Sequence, residues 1–544
     1  MTAPPLLVLF LHAPAASAAP LDVDRWGLVR VDVPDLEGAE ASSELGSTLL
    51  SPPTDPSLRW RVESVPELDL ASGPMVADEA LDALGARPWH EAGHDGSGVR
   101  IAIFDLQWYG ADTYAAELGD PQTHDCQAHK SCDPAMDTLR PRYSFEVGAH
   151  GIACAQVIHD IAPGAELHLV RVNGQTTLEN ATAWAVREGI DLISMSLSFS
   201  NNSFYDGTGP VNDQMDVLAA GGVLMVTSAG NYATEHWNQE FRDTDSDGRN
   251  EFFVPDEAGG SVGGWRETLP IWMYAGAPRI SLTWDEFDTC GRTDLDAYVY
   301  DGDGALVGRS TDVQADSGEG QSCEPVERVR AAVATTGWHY LVVERVAGTD
   351  TPQLDLMARD QDVWRYHAGG SVTDPGTHPA VLTVGAVRAD GYATNGAESF
   401  SSQGPTSSGL RKPDIAGPDG LSTTVYGQSG FYGTSASTPA VVAALAVLMS
   451  SEPGMSSAEA AMRLQQGALA DVDTVGAGGE SDMALGAGRA RLPSPGPTEP
   501  PGCGPRGAVA LLFVPLLWPL PRRARRHNCE ASSDRPDPSS GRAR

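Results

Sequence analysis

The feature that most constrains the fold is an alternation of apolar runs with helical stretches, beginning near residue 99. Five runs are rich in Val, Ile and Leu: Val99 to Phe104, Glu166 to Val172, Asp191 to Leu197, Val223 to Thr227 and Ala380 to Val387. Three helical stretches lie between the first four runs: Gly151 to His159, Asn180 to Arg187 and Val211 to Ala220. Apolar strands that alternate with helices are typical of a parallel sheet covered on both faces. The sequence therefore predicts an α/β fold with a doubly wound parallel sheet.

The alternation stops between residues 239 and 366. Short β-like runs separated by Gly and Asp turns replace it: Arg279 to Trp284, Leu295 to Tyr300, Val329 to Val333 and Tyr340 to Glu344. Many short strands with turn signals between them favour a β-sandwich. We therefore predict an inserted all-β module at 239–366, which divides the α/β domain into 76–238 and 367–492. The apolar stretch from Ala440 to Met449 predicts a central buried helix.

The charge balance excludes one class of function. The 544 residues include 36 basic and 73 acidic side chains, which gives a formal net charge of −37. A nucleic-acid binder needs a basic surface, so no nucleic-acid partner is expected. The hydrophobic content of 41% is sufficient for a large core and excludes global disorder.

Three segments carry residue types suited to acyl transfer. Asp105 ends an apolar strand, His150 opens a helix beside Gly151, and Ser435 lies in a small-residue turn before the buried helix. Sites in open α/β sheets form at the carboxyl ends of strands, and a helix N-terminus offers backbone N–H groups to an oxyanion. A neighbouring His can activate a serine hydroxyl, and a carboxylate can orient that His. Asp112 is the rival acid, but no apolar strand precedes it.

These segments, with several others in the same order, resemble the subtilisin-like serine proteases (subtilases). The matching segments are Ile193 to Leu197, Ser228 to Asn231, His378 to Ala386, Phe400 to Gly404, and Gly433 to Ser435 with Pro439. The chain order Asp, His, Ser is that of subtilisin, and no Gly-x-Ser-x-Gly elbow surrounds Ser435. The resemblance covers roughly 76–238 and 367–490 and implies the subtilisin-like fold.

The resemblance also implies an exported serine endopeptidase that acts on proteins or peptides and needs no cofactor for its chemistry. Ser435 would form the acyl-enzyme, His150 would act as base and then acid, and Asp105 would orient His150. The Asn231 amide would stabilise the oxyanion together with the Ser435 N–H. The expected substrate-binding residues are Ser194, Ser196, Leu197, Ser198, Ala229 and Gly230.

The chain departs from the subtilase pattern at five positions. Leu106 and Gln107 follow the acid where relatives carry Thr-Gly, Ile152 replaces a Thr, and Gln156 and Ser198 each replace a Gly. These departures leave two alternatives open: a weakly active or inactive binding protein with the same fold, or an esterase. Reactivity of Ser435 would separate the first from a protease, and comparison of ester with peptide substrates would separate the second.

An acidic loop in the insert is compatible with structural calcium. Asp243, Asp245 and Asp247 precede Gly248 as in the start of a calcium loop. Val254 occupies the twelfth position, where an EF-hand requires Glu, so an intact EF-hand is excluded. The alternative is a turn of ordinary solvated acids.

The cysteines predict two disulfides in an exported chain. The candidate pairs are Cys126 with Cys132 and Cys290 with Cys323, and free thiols are the alternative. Cys154 lies one helical turn after His150, where we predict a buried and inert thiol.

The two ends carry targeting signals. At the N-terminus, an apolar run and the motif Ala16-Ser17-Ala18 predict a signal peptide at 1–18. Residues 19–75 would then form a prosegment or a plain N-terminal extension.

At the C-terminus, a Pro/Gly linker (493–502) leads to a tail (503–544). That tail contains Cys503, an apolar run and an Arg cluster, and resembles the MYXO-CTERM sorting tails. The resemblance implies attachment to the cell surface or release.

Within the insert, Thr293 to Asp301 resembles the pre-peptidase C-terminal (PPC) type of β-sandwich.

Overall fold

The structure is a computed structural model that describes most of the chain between residues 75 and 495. The described residues are 7–12, 59–64, 75–127, 130–133, 135–138, 148–254, 264–287, 289, 292–314, 321–322, 324–470 and 483–495. Near the N-terminus, β1 (Leu7–His12) pairs antiparallel with β2 (Arg59–Ser64). The predicted sorting tail lies outside the described residues.

A seven-stranded parallel sheet forms the centre of the molecule. Its strands are β3 (Arg100–Asp105), β4 (Gln122–Asp125), β5 (Glu166–Arg171), β6 (Leu192–Met195), β7 (Leu224–Ser228), β21 (Leu382–Arg388) and β22 (Ile415–Asp419). Their order across the sheet is β22-β21-β7-β6-β3-β5-β4, and every neighbouring pair is parallel. The predicted α/β fold with a parallel sheet is confirmed.

Helices cover both faces of this sheet. They are α1 (Asp78–Leu84), α2 (Arg87–Glu91), α3 (His150–Ile161), α4 (Gln175–Glu188), α5 (Pro210–Gly221), α6 (Thr434–Ser451) and α7 (Ser457–Ala470). In β3, Ile101 and Ile103 join a core with α3 and α6, whereas Ala102 and Phe104 join a second core with α4 and α5. Successive strand residues point to opposite faces, so one strand supplies both cores.

Helix α6 runs through the first of these cores. It is long and apolar enough to cross a membrane by length and composition, but 83% of it is buried inside the protein. The residues from Ala440 to Met449 are all buried, which confirms the predicted central helix. A short antiparallel hairpin, β23 (Leu421–Thr423) with β24 (Gly427–Phe431), leads into it.

The inserted all-β module is also present. Its strands are β8 (His236–Glu240), β9 (Phe252–Val254), β10 (Gly264–Arg266), β11 (Leu269–Met273), β12 (Arg279–Trp284), β13 (Asp294–Tyr300), β14 (Leu306–Ser310), β15 (Val313–Gln314), β16 (Gln321–Ser322), β17 (Val326–Arg330), β18 (Gly337–Ala347), β19 (Gln353–Arg359) and β20 (Asp362–Val363). One sheet has the order β14-β13-β18-β11-β20 and the other β17-β12-β19-β8. Side chains of both sheets, among them Trp284, Leu356, Ile271 and Leu341, form one core, as in a sandwich.

Candidate active site

A buried carboxylate and a histidine meet at the carboxyl edge of the parallel sheet. Strand β3 ends at Asp105 and helix α3 begins at His150, whose Nδ1 lies 2.6 Å from Asp105 Oδ2. The Asp105 side chain is 1% exposed, against 16% for His150. The other candidate acid, Asp112, instead accepts a hydrogen bond from Thr138 at 2.8 Å. The structure therefore pairs His150 with Asp105.

Backbone groups fix the orientation of the Asp105 carboxylate. Its Oδ1 accepts the N–H groups of Leu106 at 2.8 Å and Gln107 at 2.9 Å. Because the backbone supplies these bonds, side chains other than Thr-Gly can occupy the two positions. The departure from the family pattern after the acid therefore leaves the carboxylate held.

Trp108 supports the same corner, and sequence reasoning missed it. Its fully buried indole donates a hydrogen bond from Nε1 to the Asp105 carbonyl oxygen at 2.9 Å. A Cβ added to Gly151 would lie 2.9 Å from the indole and 2.8 Å from Asp105 Cβ. Helix α3 can therefore approach Trp108 this closely only with glycine beside His150.

The pKa of His150 reflects two opposing effects. Burial alone would lower the pKa, but the charge of Asp105 and its hydrogen bond outweigh burial and raise the pKa of His150 above its ordinary value of 6.5. A raised pKa makes the imidazole a stronger base toward a neighbouring hydroxyl. It also requires a higher pH before the neutral form predominates.

Asp105→Asn is expected to lower kcat by about 10⁴-fold with little change in the melting temperature. Asparagine can keep the size of the side chain, but it neither fixes the His150 tautomer nor stabilises the imidazolium. Steady-state kinetics on a peptide substrate measures the loss. Asp112→Asn is the matched control and should retain wild-type kcat; equal losses in both variants would contradict the assignment of the acid.

Ser435 lies in the first turn of α6, and two side chains hold its backbone carbonyl. Ser196 Oγ donates to the backbone carbonyl oxygen of Ser435 at 3.1 Å, and Cys154 Sγ lies 3.8 Å from the same carbonyl oxygen. Polar side-chain atoms of Asp105, His150 and Cys154 all lie within 4.8 Å of one another. Cys154 therefore connects the Asp105–His150 pair to the backbone of Ser435.

The surroundings of Cys154 disfavour a role as nucleophile. It is buried, and burial followed by the charge of Asp105 raises the pKa of its thiol well above the ordinary value. The thiolate is the reactive form of cysteine, so a thiol with a raised pKa stays inert. Cys154 is buried, as predicted, and its lack of reactivity stays a prediction.

Asn231 lies beside the residues that precede Ser435. Its Oδ1 accepts the Thr434 N–H at 3.0 Å and the Thr434 hydroxyl at 2.9 Å. These bonds fix the amide so that its Nδ2 group is on the side of Gly433, where an added Cβ would lie 2.9 Å from Nδ2. An amide N–H oriented in this way is suited to donate to an oxyanion.

The predicted substrate-binding residues separate into two groups. Ser196, Leu197 and Ser198 follow the end of β6, beyond its paired residues. Ser194 instead lies within β6, between Ile103 of β3 and Val226 of β7, and is 1% exposed. Its backbone is paired on both sides and its side chain is buried, which disfavours contact with a substrate.

Ala229 and Gly230 are buried directly after β7, before Asn231. Gly230 has φ of 106°, and an added Cβ would lie 2.7 Å from the Tyr232 ring. Glycine is therefore required in the turn that presents Asn231.

The remaining departures from the family pattern lie in the scaffold. Ile152 is fully buried in the core. The Gln156 amide donates to Glu117 at 2.8 Å and accepts the Val425 N–H at 3.3 Å. These contacts join α3 to the segment before β24 and do not involve the Asp105–His150 pair.

The acidic loop of the insert brings its three carboxylates together. The carboxylate oxygens of Asp243, Asp245 and Asp247 lie within 4.8 Å of one another. Asp243 Oδ2 also lies 3.2 Å from the Arg345 guanidinium and accepts the Gly248 N–H at 3.2 Å. Arginine thus already offsets the charge of the most buried carboxylate, and calcium at this loop stays a prediction.

One of the two candidate disulfides falls within the described residues. The structure joins Cys126 and Cys132, which follow β4. Cys290 and Cys323 lie outside the described residues, so their pairing stays a prediction.

The chain belongs to the subtilase family. The model of this family (peptidase S8) matches residues 97–262 and 316–488, which include Asp105, His150 and Ser435. The sheet and its helices accordingly form a subtilisin-like α/β fold.

Two known proteins illustrate the similarity. The minor extracellular protease Vpr of Bacillus subtilis (strain 168) is 26% identical over 200 residues, which cover 34% of this chain and 24% of Vpr. The chain thus matches about a quarter of the length of that relative. The CspB protease of Clostridium perfringens superimposes with a TM-score of 0.51 at 14% identity, covering 77% of this chain and 98% of CspB.

Proposed function

We propose that this chain is a serine endopeptidase that hydrolyses peptide bonds through an acyl-enzyme on Ser435. The observation that carries the proposal is the 2.6 Å contact between Asp105 and His150, connected through Cys154 to the first turn of α6. Asp105, His150 and Ser435 all lie within the segments that match the subtilase family, which supports their proposed roles. The substrates would be proteins or peptides, and the reaction needs no cofactor.

The chemistry follows from the role of each group. His150 Nε2 takes the proton of the Ser435 hydroxyl as the oxygen attacks the scissile carbonyl, while Asp105 stabilises the imidazolium through Nδ1–H. His150 then donates that proton to the leaving amine, which releases the first product. Water repeats the sequence on the acyl-enzyme and regenerates the Ser435 hydroxyl.

Two N–H donors would stabilise the tetrahedral oxyanion. The first is the Asn231 Nδ2 group, and the second is the backbone N–H of Ser435. The first N–H groups of a helix have no partner within the helix, so a donor in the first turn of α6 can serve the substrate. The segment Ser196 to Ser198, beyond the paired end of β6, is suited to bind substrate backbone.

Asn231→Asp is expected to lower kcat by about 10² to 10³-fold with KM little changed, a magnitude taken from subtilisin. Aspartate keeps an oxygen for Thr434 but cannot donate a hydrogen bond to the oxyanion. Asn231→Ala removes both interactions, so comparison of the two variants separates oxyanion binding from loop support. A wild-type kcat in Asn231→Asp would contradict the role of the amide.

We further propose that the protein is exported. A signal peptide at 1–18 would direct the chain out of the cytoplasm, and the joined Cys126 and Cys132 suit an oxidising compartment. Vpr, a relative that matches in sequence, is named as an extracellular protease. The MYXO-CTERM-like tail would attach the protein to the cell surface, and the PPC-like insert would accompany the catalytic domain there.

Covalent labelling with a fluorophosphonate probe tests the proposed reaction. The purified, exported protein is treated with the probe, the adduct is mapped by mass spectrometry, and casein hydrolysis is followed in parallel. An adduct on Ser435 together with casein cleavage supports a protease. If the probe labels the protein and the protein hydrolyses esters but not peptides, it is an esterase. If the folded, processed protein is not labelled, the proposed catalytic function is overturned.

A further inference from the structure

A second buried carboxyl group contacts the loop that carries the nucleophile. Asp419 is the last residue of β22 and is 0% exposed. Its Oδ2 accepts the backbone N–H of Gly433 at 3.0 Å. Its Oδ1 is buried and has no hydrogen-bond partner among the residues that the structure describes. Burying a carboxyl group with an unsatisfied oxygen reduces the stability of the fold. The presence of Asp419 at this position therefore requires an explanation, and its hydrogen bond to Gly433 offers one.

The bonded N–H lies two residues before Ser435. Gly433 has φ of 97°, and its carbonyl oxygen accepts the Ala436 N–H at 2.9 Å as α6 begins. The next N–H, that of Thr434, is accepted by Asn231. Asp419 and Asn231 thus bind two successive N–H groups, and the third in the row belongs to Ser435.

We infer that Asp419 is a positioning residue for the nucleophile. Its carboxylate holds Gly433, and this fixes the directions of the Ser435 hydroxyl and N–H toward the scissile carbonyl. The inference rests on the proposed protease function. Asp419 is fully buried, so it acts through Gly433 and not by contact with substrate.

The charged groups around Asp419 determine how its hydrogen bond with the Gly433 N–H depends on pH. Arg388, on the neighbouring strand β21, donates to the Tyr432 hydroxyl at 2.9 Å and lies over its ring. Burial raises the pKa of Asp419 to about 7; the Gly433 N–H and Arg388 oppose the rise and Glu398 adds to it. An ionised carboxylate accepts an N–H more strongly than a neutral acid. The hold on Gly433 therefore strengthens as the pH rises through about 7.

The insert offers a matched control. Glu327 of β17 is also fully buried, and its Oε2 has no hydrogen-bond partner among the described residues. Burial likewise raises the pKa of Glu327 to about 7. Glu327→Gln therefore reports the general effect of neutralising a buried acid outside the α/β domain.

The test compares Asp419→Ala, Asp419→Asn and Glu327→Gln with wild type. Fluorophosphonate labelling rates, kcat and KM are measured between about pH 5 and 9, with melting temperatures as the check on folding. Asp419→Ala should lower the labelling rate and kcat about tenfold or more at unchanged KM. Asp419→Asn should recover part of the loss, because its amide oxygen can still accept the Gly433 N–H.

The pH profile separates positioning from simple stabilisation. Wild type should show two ionisations below the optimum, those of His150 and Asp419, whereas Asp419→Asn should show only one. Wild-type labelling rates and profile in both Asp419 variants would overturn the inference and leave the proposed function standing. Equal kinetic losses in Glu327→Gln would also overturn the inference, because they would show that neutralising any buried acid lowers the rate. If wild type itself is not labelled, the proposed function fails and this inference fails with it.

Discussion

Ser435→Ala is expected to abolish labelling by a fluorophosphonate and to lower kcat about 10⁶-fold, a magnitude taken from subtilisin, a member of this family. The reason is that no other group replaces the attacking oxygen. The thiol of Cys154, whose Sγ lies 3.8 Å from the Ser435 carbonyl oxygen, is buried with a raised pKa, so we do not expect it to act in place of Ser435. Hydrolysis of a peptide substrate and mapping of the probe adduct measure the two effects.

Helix α6 supplies a matched control for this variant. Ser437 lies in the same helix, is fully buried, and its hydroxyl has no hydrogen-bond partner among the described residues. Ser437→Ala should therefore leave labelling and kcat near wild type, because it removes an unsatisfied polar group from the core. Labelling that persists in Ser435→Ala but disappears in Ser437→Ala would contradict the assignment of the nucleophile.

The central strands could be predicted because burial on both faces leaves a direct record in the sequence. The runs that became β3, β6, β7 and β21 are mainly apolar, and β5 alternates apolar residues with Glu166 and His168. Two strands of the same sheet left no such record. The strand β4 is polar, with the sequence Gln-Thr-His-Asp at an edge of the sheet, and β22 contains Gly417 and Pro418 at the opposite edge. The edge strand β4 has only one neighbour, so its composition is less constrained. Strand β22 is buried and also bridges Arg489 through Ala416, so its Gly and Pro reflect local geometry.

Ser194 shows why the limits of the substrate strand could not be predicted. The segment from Ile193 to Leu197 matches the family as a unit, but the sequence does not say where pairing with neighbouring strands ends. In the structure, β6 ends at Met195, so Ser194 is enclosed by β3 and β7 while Ser196 lies beyond them. Register across a sheet depends on residues distant in the chain, which a local motif does not contain.

The contacts that support the site could not be recognised from sequence patterns either. Trp108 and Asp419 lie three and 314 residues after Asp105 in the chain, and neither belongs to a chemical motif. Trp108 matters because its indole occupies the space that Gly151 leaves, and Asp419 because its carboxyl group meets one backbone N–H. Both roles are defined by geometry, so only the structure could reveal them. The three residues of the proposed triad could be predicted because their chemical types and order carry the information.

His150→Ala is expected to lower kcat about as much as Ser435→Ala, again about 10⁶-fold by analogy with subtilisin. Without the imidazole, the Ser435 hydroxyl keeps its proton and is a poor nucleophile at neutral pH. Probe labelling should fall in parallel. The His150 side chain is 16% exposed, and its ring meets that of Phe431 edge-on with 5.7 Å between the ring centroids. Its loss should therefore disturb the core little, and melting curves verify this.

The pH dependence makes this prediction specific to His150. In wild type, kcat/KM should rise with pH as the imidazolium loses its proton, at a pKa above 6.5 because Asp105 raises it. The residual activity of His150→Ala should lack this ionisation and keep only the one that we assign to Asp419. His159→Ala is the matched control: His159 lies in the last turn of the same helix, and its pKa is lowered by burial. This control should retain the wild-type rate and profile. A lost ionisation in His159→Ala, or two ionisations below the optimum in His150→Ala, would contradict His150 as the base.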